Sequence, residues 1–445
     1  MRLWLRGGSS LRGDLKPNNS YLIIKQNKLS KSNNMILGTF YSDKVDFDAI
    51  TTILKKHLPK AKLSYSSENE YQIINIEVKK GLFSSPDKLK ISYRQRLEPN
   101  SESPNTDCSL SNNLRGLHGF VGNIPAQDQQ SKEKFQLKIN RVNCEFSLIQ
   151  EKGSLSNTNE IIKDIASEFD AILFVQPDSI FSKSQFSQHF LNKNLNLILD
   201  QMGQSEVTDF GPEIDQLYNK KQDEYQNYLK QIPQEVRERK LANEVIIAAQ
   251  GIKVNKYLPA IPNEAVTTLR TANEIAERVT VLAIINLFAS NHISAEQTLK
   301  ILEDNGLTQK ITTKEKDLLH NPTDEKKSIE TWKCEAIWVL LWALNLHDNL
   351  GDTASLCDLG NIPKEDYPIH NPKGFANRTF DLRSKKEILD HADLYYRYNW
   401  AGVDLRIHRM ESSQLNPGIV HERLYAFNWL TNYMGQDWDN VSCDS

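Results

Sequence analysis

The chain has 445 residues and a mass of 51.0 kDa, and its 54 Lys and Arg against 57 Asp and Glu give a net charge of -3. A protein dedicated to nucleic acid normally shows a clear basic excess, so this balance predicts no nucleic-acid partner. The longest uninterrupted apolar run, residues 336–344, has nine residues. A membrane-spanning helix needs about 20, so we also predict no membrane partner.

The first 34 residues differ in composition from the rest of the chain. They hold seven basic residues and one acidic residue, whereas residues 36–41 begin an alternating strand pattern directly after Met35. Two interpretations are open. Residues 1–34 form a flexible basic tail, or the start is assigned too far upstream and Met35 is the initiator, which is the interpretation we favour.

Residues 35–219 have the mixed pattern of an α+β domain. Apolar residues at helical spacing predict helices over 46–58 and 159–169. A polar stretch rich in Asn, Ser and Pro predicts an exposed loop over 98–113. The order of elements suggests two copies of a β-α-β-β unit, while the strand order in the sheet stays undetermined. Strands are predicted over 36–41, 71–78, 88–97, 144–150, 171–175 and 195–200.

The chain then becomes helical throughout. Residues 220–240 are highly charged and contain Pro233, which predicts a connector with a helix on each side of a break. An α-helical domain over 241–436 and a short tail over 437–445 follow. Its helices are predicted over 268–288, 294–305, 314–320, from a Thr323 cap through Trp332 to 346, 383–408 and 417–434.

Known local signatures of catalysis and cofactor binding are missing. There is no P-loop, dinucleotide fingerprint, HExxH, nucleophile elbow or EF-hand, so we predict no cofactor. The five cysteines are scattered and lack CxxC spacing, which favours a reducing, cytoplasmic setting. Glu387, His391 and His421 have a weak resemblance to metal-ligand spacing. Surface or core roles suit these three better, and we predict no metal.

Several charged residues occupy positions that the helical pattern assigns to the apolar core. Glu335 lies among tryptophans, Asp390, Asp393 and Arg397 share one helical face, and Glu422 and Arg423 lie between apolar residues. In one interpretation the two arginines neutralise the carboxylates in a structural ion network. In a second, Glu335 or Glu422 is a catalytic acid or base, and Arg397, Arg423, Asp393 and Asp390 line a binding pocket. In a third, the charges face solvent.

Four segments of this region are distinctive: LPAIPNEAVTTLRTANEIAERVTVL, TWKCEAIWVLLWALNL, RSKKEILDHADLYYRYNWAGVDLR and PGIVHERLYAFNWL. They resemble the recurring blocks of a bacterial family known as domain of unknown function 4272. The resemblance covers about 240–434 and is weaker over 35–219, and it implies no activity, substrate or cofactor.

The sequence therefore predicts an α+β half followed by an all-α domain, with two rival functions. The favoured one is a non-catalytic cytoplasmic protein that binds or regulates another protein, because no catalytic motif is present. The alternative is a hydrolase or transferase for a small anionic substrate, with a Glu acid/base and Arg clamps in the helical domain. Enzymatic activity is thus left open, and so is the oligomeric state.

Overall fold

The computed structural model describes residues 35–79, 85–96, 108–153, 157–184, 187–407 and 410–444. The predictions for residues 1–34 therefore lie outside the described residues. The chain divides into two compact units between Lys220 and Lys221. The first contains a sheet with helices and the second is mostly helical, which confirms the predicted α+β class.

The N-terminal unit is built on an eight-stranded sheet in the order β2-β3-β4-β5-β1-β6-β7-β8, in which every neighbouring pair is antiparallel. The final helix of the unit, α5, continues into the C-terminal unit. The elements are β1 Met35–Ser42, α1 Phe47–His57, β2 Lys62–Glu68, β3 Tyr71–Val78, β4 Asp87–Gln95, α2 Ser109–Asn123, α3 Gln129–Asn140, β5 Cys144–Lys152, α4 Thr158–Glu168, β6 Ile172–Val175, β7 His189–Leu191, β8 Leu197–Leu199 and α5 Pro212–Gln231.

The sheet separates two apolar cores because successive strand residues point to opposite faces. In β1, Phe40 joins the core beneath α1 and α4, while the next residue, Tyr41, joins the core beneath α2 and α3. The same alternation recurs in β6, where Leu173 and Ile172 belong to opposite cores. Helices on both faces thus bury a sheet whose central strands are apolar on both sides.

The chain order β-α-β-β-β occurs twice, as β1 to β4 and as β5 to β8. The two copies do not occupy equivalent places in the sheet. The strand that follows α1 lies at the sheet edge, whereas the strand that follows α4 pairs with β1. Residues 98–107 of the loop predicted over 98–113 lie outside the described residues. The end of that prediction is wrong, since α2 begins at Ser109 and the Cys108 sulfur accepts the backbone N–H of Ser111 at the helix N-terminus.

The C-terminal unit packs nine helices besides the end of α5, counted over the described residues. Helix α11 lies at the centre, and every residue from Ala336 to Leu344 except Trp338 is buried. It contacts α7 and α14, while α13 packs against α14 and α6. The helices are α6 Gln234–Ala249, α7 Ala272–Ala289, α8 Ala295–Asp304, α9 Thr313–His320, α10 Asp324–Thr331, α11 Cys334–Ala343, α12 Pro372–Ala376, α13 Lys385–Ile407 and α14 Pro417–Leu430.

The single helix predicted from the Thr323 cap to residue 346 is wrong, because the structure has two helices there. Thr323 caps α10 as expected, but a tight turn at Trp332 and Lys333 separates α10 from α11. The amide of Glu335 donates to the carbonyl of Trp332 at 3.1 Å, the spacing of a tighter helix. The Asn286 side chain of α7 donates to the carbonyls of Glu330 and Thr331 and so stabilises the break.

Within the described ranges, no helix is both long enough and apolar enough to cross a membrane.

Candidate functional site

The predicted charged residues of the helical unit lie in three separate clusters. The first, called here the Glu335 cluster, joins Glu335 of α11 to Arg423 of α14 at 2.7 Å. Arg423 also donates to the hydroxyl of Tyr395 at 2.8 Å and to the carbonyl of Asp352 at 2.9 Å. The backbone amide of Cys357 donates to the second oxygen of Glu335 at 2.7 Å. Glu335 and Arg423 are 0% and 1% exposed, so each is the other's counter-charge in a sealed setting.

The second, the Asp393 cluster, links α13 to α6. Arg397 donates to both oxygens of Asp393, at 2.8 and 3.1 Å, and to Glu244 at 3.2 Å. Lys240 is fully buried and donates to Glu244 at 2.5 Å and to two backbone carbonyls. Burial, followed by the nearby charge of Arg397, lowers the pKa of Lys240. Asn243 completes the cluster by donating to Asp393, and two cations thus face two carboxylates.

The third, the Glu330 cluster, gathers Arg278, Glu315, Glu330, Lys333 and Glu422. Arg278 pairs with Glu315 at 2.5 Å, and Lys333 pairs with Glu422 at 2.7 Å. Glu330 lies near both pairs. Burial, reinforced by the charge of Glu315, raises the pKa of Glu330 to about 8. Oε1 of Glu330 and Nε of Arg278 are closed to solvent and have no hydrogen-bond partner within the described residues. This cluster therefore combines a perturbed carboxyl with unsatisfied polar atoms.

The other predicted residues lie apart from these clusters. Asp390 pairs with Lys386 on an exposed part of α13. Glu387 accepts hydrogen bonds from Ser384, while His391 donates to the carbonyl of Glu387 and packs on the ring of Trp342 at 4.6 Å. His421 is exposed. Across the described ranges, Glu387, His391 and His421 do not form a group of metal-ligand atoms within bonding reach of one ion.

A different group of possible ligands is brought together. Ligand atoms of Cys334, Glu335 and Cys357 lie within 4.8 Å of one another. Nothing in the cysteine spacing indicated this, because residue 357 lies in the loop after α11 and reaches the start of that helix only in the folded chain.

A polar cavity lies between the end of α13 and the start of α14, and its volume is about 350 Å³. Leu405, Glu411, Ser412 and Asn416 are among its lining residues. None of Glu335, Glu422, Arg397 and Arg423 lines it. The cavity therefore does not contain the acid, base or anion clamps that the sequence suggested.

The residues that the sequence missed are mainly partners of the predicted ones. Glu330 and Lys333 belong to a charged run that is typical of a solvated helix, and Lys240 lies in the predicted connector. A usable signal existed for Glu315 alone: it completes a capping box with Thr312, which places it at the first turn of α9.

Residues 239–441 match the family described as Domain of unknown function (DUF4272), and this confirms the resemblance seen over 240–434. No curated protein and no solved structure matches the chain.

Proposed function

Residues 239–441 belong to the DUF4272 family, and we propose that in this chain they form a non-catalytic module that binds another protein in the cytoplasm. The observation that carries this proposal is an apolar stripe on the outer side of α6. The α6 stripe is defined by Leu241, Val245, Ala248 and Ala249, all of which are exposed.

The α6 stripe follows from helical geometry. Its residues are spaced i, i+4, i+7 and i+8, so their side chains share one face. The face that packs inward is a different one and includes Val236, Asn243 and Ile247. The exposed apolar stripe of α6 is therefore additional to the face that this helix uses to pack inward. Such a face is typical of a site where another protein packs.

The state of the buried charges supports the same proposal. Glu335 has both carboxylate oxygens engaged, and Arg397 and Arg423 each bind buried carboxylates of their own unit. Groups that satisfy one another in this way are not available to bind a substrate anion. The first two clusters then serve to fix how the helices pack, which gives the α6 stripe a rigid support.

A cytoplasmic setting is part of this proposal. All five cysteines are free thiols, the state that a reducing compartment maintains. Measuring the thiol content of protein isolated from cells under acid quench would test it, and five titratable thiols are the expected result.

The binding proposal is tested by placing a photoreactive benzoylphenylalanine at residue 245 of the full chain in living cells. We expect a discrete adduct with one other protein. The matched control carries the same group at residue 407, because Val245 and Ile407 are both 69% exposed. Against the protein identified in this way, Val245→Glu should weaken binding at least about tenfold, about 1.4 kcal/mol, while Ile407→Glu should not. Equal adducts at both positions, or none at 245, would contradict the proposal.

A second candidate function rests on the Glu330 cluster. A carboxyl whose pKa is near 8 is protonated at neutral pH and can donate a proton as a general acid. Nε of Arg278 has no partner in the described part of the chain and would be its anion-binding donor. The Glu330 carboxyl and Nε of Arg278 together favour a hydrolase or transferase for a small anionic substrate, with Glu330 rather than Glu335 or Glu422 as the acid.

Aryl phosphates and anionic aryl esters are suitable probes for this second candidate. If it is correct, turnover should fall on the order of 100-fold in Glu330→Gln. The wild-type rate should fall as pH rises through about 8, because the proton that Glu330 donates is then lost. Glu325→Gln, an exposed change on the same helix, is the control. Absence of turnover, or turnover unchanged in Glu330→Gln, would rule the candidate out.

A further inference from the structure

Two thiols and a carboxylate converge where α11 begins. The ligand atoms of Cys334, Glu335 and Cys357 all lie within 4.8 Å of one another. Both cysteines are partly buried, and Glu335 is fully buried. Within the described ranges, this is the one group of three Cys, His, Asp or Glu side chains with ligand atoms this close.

The local fold holds these three residues in place. Cys334 and Glu335 are the first two residues of α11, directly after the turn at Trp332 and Lys333. The loop that carries Cys357 is attached to the same point by two contacts. The backbone amide of Cys357 donates to Oε1 of Glu335 at 2.7 Å, and the Cys357 thiol donates to the carbonyl of Cys334 at 3.4 Å.

The distances fit a single tetrahedral ion. With Zn–S bonds of about 2.3 Å, two thiolates on one zinc ion lie about 3.8 Å apart, and a carboxylate oxygen lies slightly closer to each sulfur. The ligand atoms of the three residues lie within 4.8 Å of one another, and small side-chain rotations bring them to this geometry. We propose that Cys334, Cys357 and Glu335 bind one Zn²⁺ ion, with solvent at the fourth position.

The charge balance favours a divalent cation. In the metal-free protein, the Glu335 carboxylate and the Arg423 guanidinium cancel, and the thiols carry protons. Binding of Zn²⁺ converts two S–H groups into two Zn–S bonds and releases two protons to solvent. The net charge of this buried region is therefore the same before and after binding, and no oxidant or reductant is needed.

The existing contacts of Glu335 are compatible with a ligand role. Arg423 occupies one lone pair of Oε2, and the Cys357 amide occupies one lone pair of Oε1. A carboxylate has about four acceptor positions, so Oε1 retains one for a metal. Arg423 then orients the ligating carboxylate through its hydrogen bond, as partners of metal ligands commonly do.

The test is titration of the reduced full chain with Zn²⁺ by calorimetry. We expect one ion per chain and about two protons released, read from the dependence of the heat on buffer ionisation. Co²⁺ in place of Zn²⁺ should give the absorption of a tetrahedral thiolate complex. In the double variant Cys334→Ser and Cys357→Ser, affinity should fall on the order of 100-fold or more. Cys443→Ser, also partly buried but outside the group, should bind like the wild type.

Two outcomes would overturn the proposal: the reduced chain takes up no Zn²⁺, or Cys443→Ser weakens binding as much as the double variant does. In the first case, formation of a Cys334–Cys357 disulfide on addition of a thiol oxidant would identify the two cysteines as a redox pair instead. Circular dichroism of the serine variants shows whether a loss of binding is a loss of fold.

Discussion

Glu335→Gln should lower the free energy of unfolding by about 3–5 kcal/mol. The substitution keeps the shape and an acceptor for the Cys357 amide, but it removes the only carboxylate that Arg423 contacts in the described structure. Arg423 is 1% exposed and cannot release its proton, so its charge would stay buried without a counter-charge. Urea unfolding of the full chain, followed by tryptophan fluorescence, measures the effect, because six of the seven tryptophans lie at or after Trp332.

Two controls make this result specific. Glu325→Gln removes an exposed carboxylate of the same unit and should change stability by less than about 0.5 kcal/mol. Replacing both partners, Glu335→Leu with Arg423→Leu, should recover much of the loss, since no charge is then left alone. A chelator in every sample separates the ion pair from any contribution of bound metal. A loss below about 1 kcal/mol in Glu335→Gln would show that the pair does not stabilise the unit.

Glu330→Gln should have the opposite effect and should stabilise the protein at alkaline pH. The pKa of Glu330 is raised from 4.5 to about 8 in the folded chain. The folded state therefore holds a proton that the unfolded state has released, and wild-type stability falls as pH rises from about 4.5 to about 8. Glutamine carries no such ionisation. Because Glu330 is partly exposed, we expect a gain on the order of 2–3 kcal/mol at pH 9 and little difference near pH 4.5.

Urea unfolding at intervals between about pH 4.5 and 9 gives this difference directly, because the other titrating groups are common to both proteins. Glu325→Gln again serves as the comparison and should differ from the wild type by a constant amount over the whole range. A difference that does not vary with pH would show that Glu330 ionises like an exposed carboxyl, and one that grows on acidification would show that folding lowers its pKa instead of raising it.

The sequence predicts elements best where an apolar period continues over the whole element. The strand expected over 71–78 is found as β3 Tyr71–Val78, and the break expected at Pro233 falls between α5 and α6. Strand β2 was missed because it lies at the sheet edge and six of its seven side chains are exposed, so it has no apolar alternation to detect. Strand β7 was also missed, because its three residues are too few to show a period, whereas β8 Leu197–Leu199 lies within the strand expected over 195–200.

The site was predictable only as a set of buried charges. A carboxylate inside an apolar helix, such as Glu335, needs a buried partner of opposite charge. The pairing of Glu335 with Arg423 agrees with the interpretation of a structural ion network. Glu422 was expected to pair with an arginine, whereas it binds Lys333, two residues before Glu335 in the chain. Such choices depend on the turn at Trp332 and Lys333, whose geometry comes from contacts with Asn286 that no local pattern encodes.

The position of β1 in the sheet has a consequence for synthesis. It is the first described strand to leave the ribosome, yet its two neighbours are β5 and β6, and Thr39 contacts Ser147, 108 residues later. The β2-β3-β4 meander can form early, because its strands pair with one another along the chain. Until β5 and then β6 have emerged, β1 has open edges, and these can pair with strands of other chains. Slow translation between β4 and β6 should therefore favour misassembly, and a chaperone that covers β1 during this interval should raise the yield of folded protein.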